Sequence, residues 1–230
     1  MCWSAPVSAA FAATEWAGIA FLVWRNKAFD RAFAIAISPI AAQEALQWLL
    51  WEHISLNSAS CDRVNLIGSF FIRQITGLVP LGFVWFAQFA QEGSSKRLLA
   101  RLFLGTTSAF VLLRTAMITY SFSVGPTRCT TIGPGHHQAW AGYLGYFSQI
   151  QPLLDIVFFT LYWTLPVAAL LLLFRPRLIA ALICLISVGT MLPSLFLFSA
   201  DELGSVWCWA CSMLLGVALL SPRFSRKDKR

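Results

Sequence analysis

Five ionisable side chains, Glu15, Glu44, Arg73, Arg114 and Asp155, stand inside long apolar runs of the chain, with Gln43, Gln47, Gln74, Gln149 and Gln151 close to them. A charge facing hydrocarbon costs a few kcal/mol or more, whereas acids and arginines that meet one another, or a ligand, offset much of that desolvation. The chemistry open to such a set is ion and proton handling. Glu15 and Glu44 are the groups to hold a cation or proton. Arg73 and Arg114 would orient the acids or bind an anionic group, and Asp155 with the glutamines would line an entrance. Counting helical rise from the outer end of each run puts Glu15 near mid-depth and the others in the outer half, so that they share one layer. Trp207 overhangs that layer. Glu44, Gln47 and Trp51 recur at helical spacing and turn one polar and aromatic stripe inward. The candidate binding set is therefore Glu15, Glu44, Gln47, Arg73, Gln74, Arg114, Asp155 and Trp207. It is either an ion-pair lock of the bundle or the wall of a polar pocket that opens outward.

The elements that must carry these residues follow from composition. Of 230 residues, 58% are apolar and 12% charged, and the mean hydropathy is +0.69. That balance belongs to an integral membrane protein and not to a soluble globular domain. Apolar runs of spanning length occupy residues 5–24, 32–52, 64–91, 99–123, 149–174, 177–198 and 203–221. They are too long for barrel strands and lack sustained alternation, so the expected fold is all-α, a seven-transmembrane-helix bundle. One membrane domain covers residues 1–222, and 223–230 form a basic tail. Thirteen of the 17 basic residues fall in, or within the first few residues beyond, the connections after the first, third and fifth runs, or after the seventh. By the positive-inside rule the N-terminus is outside or lumenal and the C-terminus cytoplasmic. The N-terminal stretch has no basic residue before its apolar run, and Glu15 interrupts that run, so it reads as a retained first helix and not as a cleaved signal.

Several functions are excluded. The formal charge of +7 is spread over short loops, as topology demands, so nucleic acid is not an expected partner. A retinal Schiff base needs a lysine within the bundle. Lys27, Lys96, Lys227 and Lys229 all lie in connections or the tail, which rules it out. His53, His136 and His137 offer no HxxxH spacing, and Cys208 with Cys211 forms a CxxC that no second one accompanies, so no metal site is expected. No nucleophile elbow or phosphate loop is present. An acid pair such as Glu15 and Glu44 could do acid/base work only at close range. An enzyme is the least expected reading, and beyond excluding retinal the residues leave the cofactor unknown.

Cys2, Cys61 and Cys129 map to the outer face and Cys208 to the outer part of the last run. The favoured disulfide joins Cys61 to Cys129 across two outer loops, with Cys2 and Cys208 second; packed free thiols are the other reading. The longest connection, 123–149, is rich in Gly and Pro and reads as a loop with a short surface helix after Gly135, its His136 and His137 solvated.

The residues MCWS at 1–4, Arg25-Asn26 followed by Asp30-Arg31, the Glu44, Gln47, Trp51 stripe, Gln151-Pro152 and GSVWCW at 204–209 resemble an uncharacterised group of small multi-spanning proteins of algae, protists and large DNA viruses. The resemblance runs from end to end through these short islands. It implies residence in a membrane and names no activity. Three functions stay open: transport or conduction of a small ion, proton or polar solute; sensing of an outside ligand by a seven-helix receptor; and an accessory subunit that packs its aromatic faces against a membrane-protein partner. The lipid bilayer is a partner in all three.

Overall fold

The computed structural model describes residues 4–27, 29–54, 61–89, 95–124, 129–140, 152–197, 202 and 212–222. Helices α1 (Ala5–Arg25), α2 (Asp30–Glu52), α3 (Arg63–Gln88) and α4 (Ser95–Val124) are followed by two short strands, β1 (Thr130–Ile132) and β2 (Gln138–Trp140), and then by α5 (Pro152–Leu173) and α6 (Arg177–Leu197). A last helix, α7, runs Ser212–Pro222. The described chain is therefore helical apart from one small hairpin. The helices Ala5–Arg25, Asp30–Glu52, Arg63–Gln88 and Lys96–Tyr120 are long and apolar enough to cross a membrane, and three shorter apolar helices lie at Thr160–Leu173, Arg177–Met191 and Ser212–Pro222.

Packing places α3 at the centre, against α2, α4, α5 and β1, with α1 on the far side of α2 and α6 beside α5. One hydrophobic core draws on all seven helices, from Leu22 of α1 through Phe33, Phe86, Phe110, Leu173 and Ile183 to Leu214 of α7. Outside it the helices present large apolar side chains to the surroundings, among them Trp24, 79% exposed, Leu112, Leu185 and Tyr120. A surface so apolar suits hydrocarbon and would be a liability in water.

The two ends of the bundle are finished differently. At one end α1 stops because Asn26 takes a left-handed conformation, φ 48°, and returns its N–H to Leu22. Asp30 then opens α2 and accepts from the Lys27 backbone N–H at 2.8 Å and from Arg25 in fork fashion, Nε at 2.7 Å and Nη2 at 2.6 Å. The same guanidinium donates to the carbonyls of Leu219 and Ala218, which satisfies acceptors near the end of α7. Arg25, Asn26 and Asp30, which entered through a family resemblance, thus build one turn and tie it to the last helix. Beside them Phe86 stacks on Phe174, and Phe29 and Phe33 close the cluster.

At the other end Asp62 caps α3 by accepting from the Asn65 N–H at 2.6 Å and meets His53 at 2.8 Å. Cys61 and Cys129 form the favoured disulfide, with Cα atoms 5.9 Å apart, and it holds β1 against the start of α3. The hairpin is antiparallel, Thr130 opposite Trp140 and Ile132 opposite Gln138. The surface helix expected after Gly135 is therefore a strand as far as Trp140. A helix there would leave Gly133 and the left-handed His136, φ 60°, without their turn, in which Gly133 N–H bonds the His137 carbonyl at 2.8 Å. His137, expected in solvent, is buried, while His136 is exposed.

Candidate functional site

The polar residues inside the helices fall into three joints. The first lies between α1 and α7. Ser8, Ala12, Glu15, Ile19 and Leu22 make the buried face of α1, and Gly18 has no side chain where Leu215 presses in. That close approach brings Ser212 within reach, and its hydroxyl donates to Glu15 Oε1 at 2.7 Å. Glu15 is fully buried, and Oε2 has no hydrogen-bond partner among the described residues. Its neighbour is a serine, and not one of the arginines expected to share its layer.

The second joint lies between α3 and α4. Arg114 Nη1 donates to the Arg73 carbonyl at 2.6 Å. The guanidinium fills the space where any side chain at Gly77 would stand. Arg73, buried, sets its own guanidinium over the Phe122 ring at 5.0 Å, a cation–π arrangement. Gln74 reaches α4 as well, its Nε2 3.4 Å from the Thr115 carbonyl and 3.3 Å from Thr119 Oγ1. One turn further along α3, Pro80 has no N–H to give the carbonyl of Thr76. Tyr162 of α5 supplies the missing donor, its hydroxyl bonding the Thr76 carbonyl at 3.0 Å.

The third joint lies under the hairpin. Gln43, Glu44 and Gln47 of α2 are all buried, as are Gln138 and Trp140 of β2. Gln138 Nε2 donates to the Gln47 carbonyl at 2.7 Å, and Trp140 packs on Leu46, Leu50 and Ile72. Thr130 is held from three sides: its N–H bonds Asn65 Oδ1 at 2.9 Å and Ser69 Oγ at 2.8 Å, and its carbonyl accepts from Asn65 Nδ2 at 3.0 Å. Glu202, fully buried, accepts from the N–H groups of Gly135 and His137 at 2.8 and 3.2 Å and so anchors the turn. The hairpin therefore seats on α2 and α3 through buried polar contacts and a covalent bond. Within this tightly paired frame the Gln47 carboxamide has no partner for either its nitrogen or its oxygen among the described residues. Gln138 Oε1 and the indole nitrogen of Trp51 are in the same condition.

Electrostatics outside the helices are simple. The Asn65 backbone N–H, and after it His53, hold the Asp62 carboxyl below the ordinary aspartate value.

Of the predicted site residues, Glu15, Glu44, Arg73 and Arg114 sit about 15, 12, 15 and 15 Å along their helices from the hairpin end, by rise per residue. Asp155 is in the first turn of α5, and its side chain lies outside the described residues, as do Trp207, Gln149 and Gln151. Gln47 is joined to the hairpin, Gln74 to α4, and Glu15 to α7. Sequence reasoning passed over Asn65, Ser69, Thr130, Gln138, Trp140 and Glu202. A signal for them existed in the pair Cys61 and Cys129, which requires the 123–149 connection to return to α3, and in Gly133-Pro134-Gly135 between TTI and QAW. An apolar cleft lined by Val79, Phe83, Trp163, Val167, Ile183 and Cys184 opens between α3, α5 and α6, and none of the candidate binding residues lines it. Among the described residues no group of three or more metal-ligating side chains occurs. No family model matches the chain, and no curated protein or solved structure is similar to it at a significant level.

Proposed function

We propose that this is a seven-helix membrane protein that passes a small polar solute or ion through an internal polar site, with the β1–β2 hairpin as the cover at the outer end. The orientation that fits has the hairpin and disulfide outside or in a lumen, where a disulfide persists, and the Arg25–Asp30 turn in the cytoplasm. The observation that carries the proposal is Gln47, a buried carboxamide with neither polar atom bonded among the described residues. A purely structural fastening would satisfy its own members, because a half-satisfied buried network is worse than an apolar core. Glu44, one turn away on the same helix, and Arg73 on α3 stand deeper than Gln47 from the hairpin end. In this mechanism the solute exchanges water for the glutamine stripe beneath the hairpin, and the charged residues below set what passes.

Flux in reconstituted liposomes tests it, comparing the native protein with Glu44→Gln, Gln47→Leu and Arg73→Gln variants that still fold. Flux is expected in the native protein and lost in the variants. Absence of flux in the native protein, with variants that only melt earlier, would make the layer a lock. The accessory-subunit reading would then take over, with Trp16, Trp24 and Trp48, all well exposed, as its packing face.

A further inference from the structure

Four buried polar atoms beneath or beside the hairpin have no hydrogen-bond partner among the described residues: Nε2 and Oε1 of Gln47, Oε1 of Gln138 and Nε1 of Trp51. They belong to one place. Gln47 and Trp51 are four residues apart on α2 and so share a face, and Gln138 is bonded through its own Nε2 to the Gln47 carbonyl. Two of the four atoms donate and two accept. That balance does not depend on how the Gln47 amide is turned, since both of its ends are unpartnered, while the Gln138 amide is oriented by its bond to α2. None of the four carries a charge. The neighbours Gln43, Glu44, Arg73 and Trp140 each have an interaction of their own and are left out of this balance.

We infer that the solute of this site is a small uncharged molecule able both to donate and to accept hydrogen bonds, of the urea or glycerol class. The inference rests on the transport reading above and narrows it. A cation would be met by the two carboxamide oxygens, yet it would face the N–H groups of Gln47 and Trp51 as well. An anion meets the reverse conflict. A molecule carrying hydroxyl or amide groups satisfies both kinds of atom at once, in the manner of sites that fix a ligand by a few convergent polar groups. Discrimination follows from the same atoms, because a solute that lacks a donor or an acceptor would leave one of them buried and unpaired.

Osmotically driven light scattering on proteoliposomes of the full chain provides the test, with urea, glycerol, water alone and sodium or potassium salts as separate probes. Urea or glycerol permeability is expected to rise severalfold over protein-free liposomes and to be indifferent to an imposed membrane potential. Gln47→Leu should abolish the rise. Trp51→Phe, which keeps one aromatic ring but removes the N–H together with the five-membered ring that carries it, should slow it by at least about fivefold, the value of one neutral hydrogen bond, and serves where the leucine variant does not fold. Salt flux without urea or glycerol flux overturns the inference and leaves the transport reading standing. Water permeability alone also overturns it, as does native permeability that both variants leave unchanged. No flux of any probe removes both readings.

Discussion

Asp62 is held in its charged form by the Asn65 N–H and by His53, so its proton affinity is lower in the folded chain than in the unfolded one. The sign of the effect on stability follows directly. A group whose folded-state value is depressed stabilises fully above its unfolded value and loses that contribution as pH falls through the folded value. Asp62→Ala should therefore melt earlier than the native protein by a constant margin from neutral pH down to the ordinary aspartate range. The margin should shrink only in stronger acid, and thermal unfolding in detergent across that range checks it. Residue-scale roles were legible in the sequence where chemistry confined them. Cys61 and Cys129, expected on one face from the sequence, did pair. Glu15 was recognisable as buried, but its partner Ser212 was not, because the contact depends on how closely α7 settles on Gly18 and no residue type announces that.

At the scale of elements, the hairpin is too short to hold itself, with three residues in each strand. Its order comes from outside it. The disulfide closes a separation of 68 residues, and in the loop-entropy account such a crosslink contributes about 4 kcal/mol. Replacing both cysteines by serine should lower the unfolding free energy by up to about that amount, and a reducing agent should produce the same loss in the native protein and none in the double variant. A second element-scale dependence is the carbonyl that Pro80 leaves without a donor inside α3. Tyr162→Phe removes the donor that serves the Thr76 carbonyl opposite Pro80. Destabilisation of about 1–3 kcal/mol is expected, the penalty for a buried acceptor left without a partner, read as a fall in melting temperature with unchanged helical signal. Hydropathy revealed the helices because each run is long and apolar. It could not reveal β1 and β2, since three residues give no alternation to read and their burial is conferred by α2 and α3.

For the whole molecule, sequence alone indicated an assembly of apolar helices with polar residues turned inward, and the packing around α3 agrees with that much. The ionisable residues do stand at a similar depth along their helices, but their described contacts divide among three joints, α1 with α7, α3 with α4 and α2 with β2. Helical rise assigns depth, but which faces meet is set by side-chain volume across the bundle, and one chain's residue pattern does not encode that directly.

The joint between the first helix and the last has a consequence for biogenesis. Arg25 and Glu15 of α1 find their acceptors and donor in Leu219, Ala218 and Ser212 of α7, which are synthesised 193 to 197 residues later. Until α7 is made, a fully formed α1 therefore carries a carboxyl that has yet to meet Ser212. Chains truncated after residue 200 should be inserted yet rapidly degraded, and supplying residues 201–230 as a separate segment should rescue them. Pulse–chase of the two segments would reveal a protein whose quality control waits on α7.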